Sequence, residues 1–440
     1  MRKIIIIMFF SLVFGNDQIP APPQKNPIIL QNAVIHTISN GVIKGSILFD
    51  KGKIIRISEY ISPPDNAEVI DLDGKHVYPG LIAAVSGIGL VEISAVDVTN
   101  DHSERGDFNP NVRSNVAYNP DSHIIPTTRS NGVLIANVAP GSGLVSGQSS
   151  IMMMDGWTWE DATFTHPSGL HVNWPQMGTR TGGRFNFNMP ANRQIERRKK
   201  ALKKLDDMIE HGRAYARLRK TNIRNAENYH DEDLRWESMM PYVAGILPIY
   251  IHANEVRQIE AAVNWAKRYE LKIIIVGGKD AWRTTELLIK NKIPVIYEGV
   301  TDLPSRRYED YDQAYKGPSM LYKAGVQFCI SSPGSAGGAY RVRNIPNHAA
   351  MAAAYGLPKD VALKAITLYP AEILGIDSQV GSLESGKDAT LFIATGDPLE
   401  IRTNVVQAYI QGRKIDMGDK HKTLYSKYQE KYRQLGILKK

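Results

Sequence analysis

Between residues 81 and 379, short and mostly apolar runs alternate with longer segments of helical periodicity. Runs without a polar face are typical of strands buried on both sides, as in a parallel sheet or barrel. The predicted strands are Gly132–Val138, Ile246–Ile251, Lys272–Val276, Ile293–Tyr297 and Val326–Ile330, and the predicted helices include Asn192–Arg219, Asn254–Tyr269 and Ala281–Lys290. This succession predicts βα units and an α/β fold class. The 440 residues have room for one barrel of about 250 residues and a smaller second unit.

The segments on either side of this region are rich in β-type sequence. Residues 28–80 and 380–415 contain short apolar runs separated by turn residues, which predicts antiparallel strands. Because the two segments are alike in texture, we expect them to form one small composite β-sandwich. Residues 16–27 are rich in proline and predict an extended linker, and residues 416–440 predict a basic C-terminal helix.

The N-terminus has the pattern of a signal peptide over residues 1–15. Two basic residues precede an apolar run from Ile4 to Phe14, which is short for a permanent membrane span. A buried N-terminal strand is the alternative interpretation. The single cysteine, Cys329, cannot form a disulfide within the chain. We therefore expect an exported protein, periplasmic or secreted, with no stable membrane span.

The charge distribution argues against a nucleic-acid partner. The formal net charge is +8, from 53 basic and 45 acidic residues, and the excess is concentrated in Arg193–Lys204 and after Arg413. No stacking-aromatic motif accompanies these runs, which indicates solvated helix faces and no nucleic-acid surface. The content of 43% hydrophobic and 22% charged residues is that of a globular protein.

Four strings in the chain resemble marks of one enzyme superfamily. They are YPGLI at Tyr78–Ile82, VAPGSGLVSG within Gly132–Gly147, LYPAEILG at Leu368–Gly375 and GSLESGKDATL at Gly381–Leu391. In this order and spacing they resemble the amidohydrolase superfamily, in particular its exported imidazolonepropionase-like branch, over about Pro27 to Ile415. The resemblance implies a TIM-like (β/α)8 barrel at residues 81–379, beside the composite β-sandwich.

The resemblance also implies metal-dependent hydrolysis of C–N bonds in amides or cyclic amides. One or two divalent metals at the C-terminal mouth of the barrel would activate a water, because a bound metal brings the pKa of water near neutrality. The implied ligands are a His-x-His pair on strand one, a carboxylated lysine or glutamate on strand four, single histidines on strands five and six, and an aspartate after strand eight.

This sequence departs from that ligand pattern at most positions. No lysine lies between Trp174 and Pro190, and residues unable to bind a metal stand at Val85, Gly87, Gly277 or Gly278, and Pro333. His252 alone matches a family ligand and is the one metal ligand that we predict. Since a catalytic metal needs about three protein ligands, the metal site is predicted to be degenerate. We expect no cofactor, or zinc or another divalent metal if the chain is active.

A ligand pocket is nevertheless predicted at the barrel mouth, because loops that follow barrel strands meet there. Its predicted residues are His252, Ser331, Ser332, Pro333, Arg341, Asp101 and His102. The catalytic residues stay unassigned. Hydrogen-bonded loops of solvated charges are the alternative to a rebuilt metal site. The candidates for that site are Asp101, His102, Glu104, Asp107, Asp121, His123, His166 and His171.

Three functional hypotheses follow. The first is a non-catalytic protein that binds a small molecule, forms a homo-oligomer or pairs with an active amidohydrolase relative. The second is an active hydrolase of carbon–nitrogen bonds other than peptide bonds, with non-standard ligands around His252. The third is a metal-free enzyme with Asp280 or Glu298 as acid or base.

Overall fold

The structure, a computed structural model, describes residues 18–179, 189–222 and 231–438. The predicted signal peptide, residues 1–15, lies outside the described residues. Among the helices in those three ranges, none has the length and apolar character needed to cross a bilayer.

The described residues form sixteen strands and eleven α-helices. The strands are β1 (Ile28–His36), β2 (Val42–Asp50), β3 (Lys53–Ser58), β4 (Glu68–Asp71), β5 (His76–Pro79), β6 (Leu81–Ser86), β7 (Val133–Val138), β8 (Val145–Met153), β9 (Thr163–Asn173), β10 (Ile249–Ala253), β11 (Ile273–Gly277), β12 (Val295–Glu298), β13 (Phe328–Ser331), β14 (Leu391–Ala394), β15 (Val405–Ile410) and β16 (Arg413–Ile415). The helices are α1 (Ile124–Arg129), α2 (Trp159–Ala162), α3 (Ala191–Asn222), α4 (Leu234–Val243), α5 (Val256–Arg268), α6 (Thr285–Lys290), α7 (Gln313–Ala324), α8 (Ile345–Ala354), α9 (Lys359–Lys364), α10 (Leu368–Leu374) and α11 (Lys420–Gln434).

Both ends of the chain contribute to one separate eight-stranded sheet, as predicted. Its order is β16-β15-β14-β5-β1-β2-β3, and β4 pairs with β1 off this path. The two ends join where β14 runs antiparallel to β5, with Phe392 opposite Tyr78. Apolar residues from both segments, among them Ile35, Phe49 and Leu391, form a common buried core.

The central region forms a nearly closed eight-stranded barrel sheet in the order β6 to β13, which confirms the predicted TIM-like architecture. Seven strands run parallel, but β8 is antiparallel to both β7 and β9. Six residues connect β7 to β8, and a parallel crossover needs a dozen or more. Between β13 and β6, the Ser331 hydroxyl donates to Val85 O over 3.2 Å.

Strands β8 and β9 have no counterpart among the strands predicted from the sequence. The run from Ser146 to Ser150 is small and polar, so it lacks the apolar signature of a buried strand, although its residues are buried. Their hydroxyls are bonded inside the protein: the Ser149 and Ser168 Oγ atoms lie 2.7 Å apart, and Ser168 donates to Asn137 Oδ1 over 2.6 Å. Such bonds satisfy polar groups that would otherwise be costly to bury.

The barrel interior is packed with apolar side chains below the mouth. Ala84, Val85, Ala139, Tyr250, Ile274, Val276, Ile296 and Cys329 belong to one buried cluster. The loops that follow the C-terminal ends of the strands therefore decide what the mouth above this cluster contains.

A buried carboxylate ties the predicted linker to the barrel. Asp155 accepts from Arg129 Nη1 over 2.9 Å, from Arg413 Nη1 over 3.0 Å and from the Ala21 amide over 3.1 Å. Asp155 and Arg129 are both buried. Because Arg413 lies on β16, this one group joins three distant parts of the chain.

Candidate functional site at the barrel mouth

Two histidines contact each other at the C-terminal ends of neighbouring barrel strands. His171 on β9 and His252 on β10 lie on the fourth and fifth strands of the barrel, and His171 Nδ1 is 2.9 Å from His252 Nε2. His171 is fully buried and stacks on Tyr250, with ring centroids 4.7 Å apart. The retained family histidine is thus bonded to a second imidazole.

Both imidazoles are neutral at physiological pH. Burial lowers the pKa of His252 to about 4, with a further contribution from His102. Burial also holds the pKa of His171 well below its usual range, and His252 and His102 add to the effect. One neutral ring donates and the other accepts, so their contact is a hydrogen bond between uncharged groups.

A third histidine reaches the mouth from the loop after β6. His102 is buried, and its Nε2 is 3.1 Å from Gly334 O, so Nε2 carries the proton and donates to this carbonyl. A Cβ on Gly87 would lie 3.0 Å from His102 Cδ2, and one on Gly141 would lie 1.7 Å from His102 Cε1. His102 therefore occupies the space beside Gly87, where the resemblance places a metal-binding histidine.

A half-buried carboxylate holds the opposite side of Gly334. Glu298, at the end of β12, accepts from the Gly334 amide over 2.8 Å. Burial raises the pKa of Glu298 to about 7, although the bond from Gly334 acts in the other direction. A Cβ on Gly334 would lie 2.3 Å from Val85 Cγ1, so this loop is packed directly onto β6. We call His102, Gly334 and Glu298 the mouth plug.

The other predicted pocket residues differ in their exposure to solvent. Ser331 and Ser332 are fully buried at the end of β13, and the Ser332 hydroxyl has no hydrogen-bond partner among the described residues. Pro333 is partly buried and immediately precedes the glycine of the plug. Asp101 and Arg341 are exposed.

The side chains at the mouth do not fit the divalent metal that the resemblance implies. Nε2 of His252 is bonded to His171, Nε2 of His102 to Gly334 O, and one Glu298 oxygen to the Gly334 amide. Over the described ranges, no three or more His, Cys, Asp or Glu side chains are grouped so that they could hold a metal ion. Val85 is buried in the apolar interior at the first position of the family's His-x-His pair.

Two residues of this site were named in the sequence only as remote candidates. The sequence offers His171 only as one of several candidate metal ligands, because β9 has no recognisable strand pattern. It offers Glu298 only as a possible acid or base. Their signal was present in their positions: each side chain alternates with apolar neighbours near the end of a buried strand, where polar residues are unexpected. The other histidine candidates lie elsewhere, and His166 bonds Arg113 and Ser150.

The chain has both a family match and a curated relative. Residues 318–417 match the model of the Amidohydrolase family. Amidohydrolase tasK from Hapsidospora irregularis is 24% identical over 403 residues, which cover 84% of this chain and 39% of that protein. The chain thus spans less than half the length of this relative.

Solved structures share the architecture. An amidohydrolase from Thermotoga maritima MSB8 has a TM-score of 0.77 and 26% identity, and the match covers 88% of this chain and 99% of that one. A prolidase complexed with N-methylphosphonate-L-proline has the same fold, with a TM-score of 0.53, 16% identity, and coverage of 89% and 100%. The family match over residues 318–417 and the shared barrel support a place for this chain in the amidohydrolase superfamily.

Proposed function

We propose that this chain is a non-hydrolytic member of the amidohydrolase superfamily, acting as a ligand-binding protein or as a partner subunit of an active relative. The observation that carries the proposal is the insertion of His102 between Gly87 and Gly141. The side chain fills the part of the mouth where members of the superfamily usually hold a divalent metal.

The chemistry of the donor groups supports this proposal. A water-activating metal needs about three protein ligands and an open position. Here Nε2 of His252 is bonded to His171, and the plug joins His102 and Glu298 through Gly334. A metal would have to break these buried hydrogen bonds, and each group left unpaired would cost about 1–3 kcal/mol.

The alternative is an active hydrolase acting on carbon–nitrogen non-peptide bonds through non-standard ligands. One observation favours it: His171 Nε2 is buried and has no hydrogen-bond partner among the described residues. A small rotation that broke the bond to His252 would leave two neighbouring imidazoles free to bind a metal.

Metal analysis of the purified chain distinguishes the non-hydrolytic protein from the active hydrolase. We expect substoichiometric zinc, iron and manganese after incubation with each metal and gel filtration, with equal values for wild type, His252→Ala and the exposed control His211→Ala. We also expect no hydrolysis of dipeptides, hydantoins or imidazolones by wild type. Near-stoichiometric metal that is lost only in His252→Ala, together with turnover, would establish the alternative.

We further propose export through the N-terminal segment, membership of the imidazolonepropionase-like branch, and either self-association or pairing with an active relative. The basic and apolar pattern of residues 1–15 and the VAPGSGLVSG loop support the first two. Cell fractionation tests export. Purification of the chain under mild conditions from a membrane-free extract of its native host tests pairing. Recovery of the chain in the cytoplasm, or as a monomer alone, would contradict these proposals.

A further inference from the structure

A large groove adjoins the barrel mouth on the side of β9 and β10. Its volume is about 1060 Å³, and Leu144, Asn173 and Trp174 line one wall while α3 lines the other. The Trp174 amide donates to His252 O over 3.2 Å, so this wall of the groove is bonded directly to the backbone of the histidine pair. It lies outside the space that the mouth plug fills.

Helix α3 presents a row of cations to this groove. Arg193, Arg197, Lys200 and Lys204 line it at successive spacings of four, three and four residues. These spacings keep the four side chains on one face of a helix. The buried residues Leu205 and Ile209 lie on the opposite face, so the helix packs by its apolar side and turns the cations to the groove.

Over the described ranges, ion pairs neutralise only part of this positive charge. Of the two acidic residues that line the groove, Asp107 pairs with Lys204 over 2.9 Å, and Glu196 pairs with Lys199 over 3.1 Å. Arg193, Arg197 and Lys200 form no ion pair with any described residue. A concave surface that collects unpaired charge of one sign attracts ligands of the other sign.

The wall that faces these cations is held in place by the protein's own bonds. The side-chain Nδ2 of Asn173 donates to Gly143 O over 2.8 Å and to Ser146 Oγ over 3.0 Å. Trp174 packs edge-on against Trp265, with ring centroids 5.5 Å apart. Arg198 Nη1 donates to Met177 O over 2.6 Å and fastens α3 to this wall. The groove is therefore built on hydrogen-bonded parts of the barrel.

We propose that this groove binds an elongated anionic ligand with two or more acidic groups, such as carboxylates on an extended backbone. The three unpaired cations span seven residues of helix, or about 10 Å, which is the length of a short acidic peptide or a linear polyphosphate. The apolar wall at Leu144 and Trp174 packs against the ligand's backbone. The inference deepens the proposed function, since it names what a non-hydrolytic chain binds.

Isothermal titration calorimetry of the full chain tests this with tri-L-glutamate, tripolyphosphate and the neutral tri-L-glutamine. At least one anion should bind with one-to-one stoichiometry, and its affinity should fall as salt rises from about 0.02 M to about 0.2 M. Tri-L-glutamine should not bind. Binding of tri-L-glutamate alone would identify carboxylates as the ligand's acidic groups, and binding of tripolyphosphate alone would identify phosphates. Either result supports the proposal that the groove binds an anion.

Two matched double variants locate the site on α3. Arg197→Gln with Lys200→Gln should weaken anion binding about tenfold. Lys203→Gln with Lys220→Gln removes equal charge from residues of the same helix that do not line the groove, and should leave affinity unchanged. If the first double variant fails to fold, Arg193→Gln replaces it, since this exposed side chain lies in the first turn.

The proposal is overturned if neither anion binds, if the neutral peptide binds equally well, or if both double variants weaken binding to the same extent. Metal content and hydrolysis are measured independently of these titrations. A chain that binds the anion and also hydrolyses amides would refute the proposed function alone, and an inactive chain that binds no anion would refute this inference alone.

Discussion

Nδ1 of His171 lies 2.9 Å from Nε2 of His252, at the ends of adjacent strands in the barrel mouth. The contact occupies one ring nitrogen of His252, the one metal ligand that the sequence predicts. It also requires the accepting ring to stay uncharged, because a doubly protonated imidazole has no acceptor nitrogen. The pair therefore couples the folding of the mouth to pH.

The first prediction concerns acid sensitivity. His252 titrates near 6.5 when unfolded and at about 4 when folded, because it is buried. The unfolded state thus binds more protons between these values, so this histidine's stabilising contribution is complete above pH 6.5 and is lost as pH falls to about 4. We expect wild type to lose on the order of 2 kcal/mol more than His252→Gln over this range.

Urea unfolding at several pH values measures this difference. The exposed His211→Gln variant is the control and should follow wild type. A His252→Gln variant with the same pH dependence as wild type would show that the folded His252 titrates normally.

The second prediction has the opposite sign and concerns Glu298. Burial raises its folded pKa from 4.5 to about 7. The folded state therefore binds the extra proton, and stability from this group falls as pH rises from about 4.5 to about 7. Glu298→Gln keeps an acceptor oxygen for the Gly334 amide and cannot ionise. It should be more stable than wild type at pH 8 by about 1–3 kcal/mol.

Chemical denaturation at pH 5 and pH 8 checks this prediction. The two proteins should differ less at pH 5, where wild-type Glu298 is protonated. Equal stability at both pH values would mean that Glu298 is solvated and does not hold the mouth plug.

The third prediction tests the position of the His102 side chain. A Cβ on Gly141 would lie 1.7 Å from His102 Cε1, so Gly141→Ala must displace the imidazole. Overpacking of this kind costs about 1–3 kcal/mol. Gly337→Ala, in the loop after β13, is the matched control because a Cβ there meets nothing within 4 Å. Thermal unfolding compares the two, and an unchanged Gly141→Ala protein would place His102 outside the mouth.

The fourth prediction concerns the buried carboxylate that joins the linker, the barrel and β16. Asp155→Ala leaves Arg129, which is 4% exposed, without its carboxylate partner. Removing one partner of a buried ion pair costs about 3–5 kcal/mol. The exposed Asp65→Ala variant should stay within about 0.5 kcal/mol of wild type. Equilibrium denaturation gives both values, and similar stabilities would contradict the role of Asp155.

The barrel was predictable wherever burial left a local pattern. The strands β10 to β13 are short apolar runs between helices, and α3 and α11 follow the predicted amphipathic segments within a few residues. The strands β8 and β9 were not predicted because they contain serines and histidines, and polar residues are not expected in strands buried on both faces. Their partners are distant residues that only the folded barrel supplies.

The sequence by itself determined the barrel with its composite sheet, and it predicts that Val85, Gly87 and Pro333 stand where the resemblance implies two histidines and an acid. Both can be read from the sequence because they depend on which residue stands at each position and on the order of the motifs along the chain. Only the tertiary structure decided what fills the mouth. His102 reaches it because a loop folds back onto β6 and glycines at 87 and 141 leave room for the ring, which is a matter of packing between segments far apart in the chain.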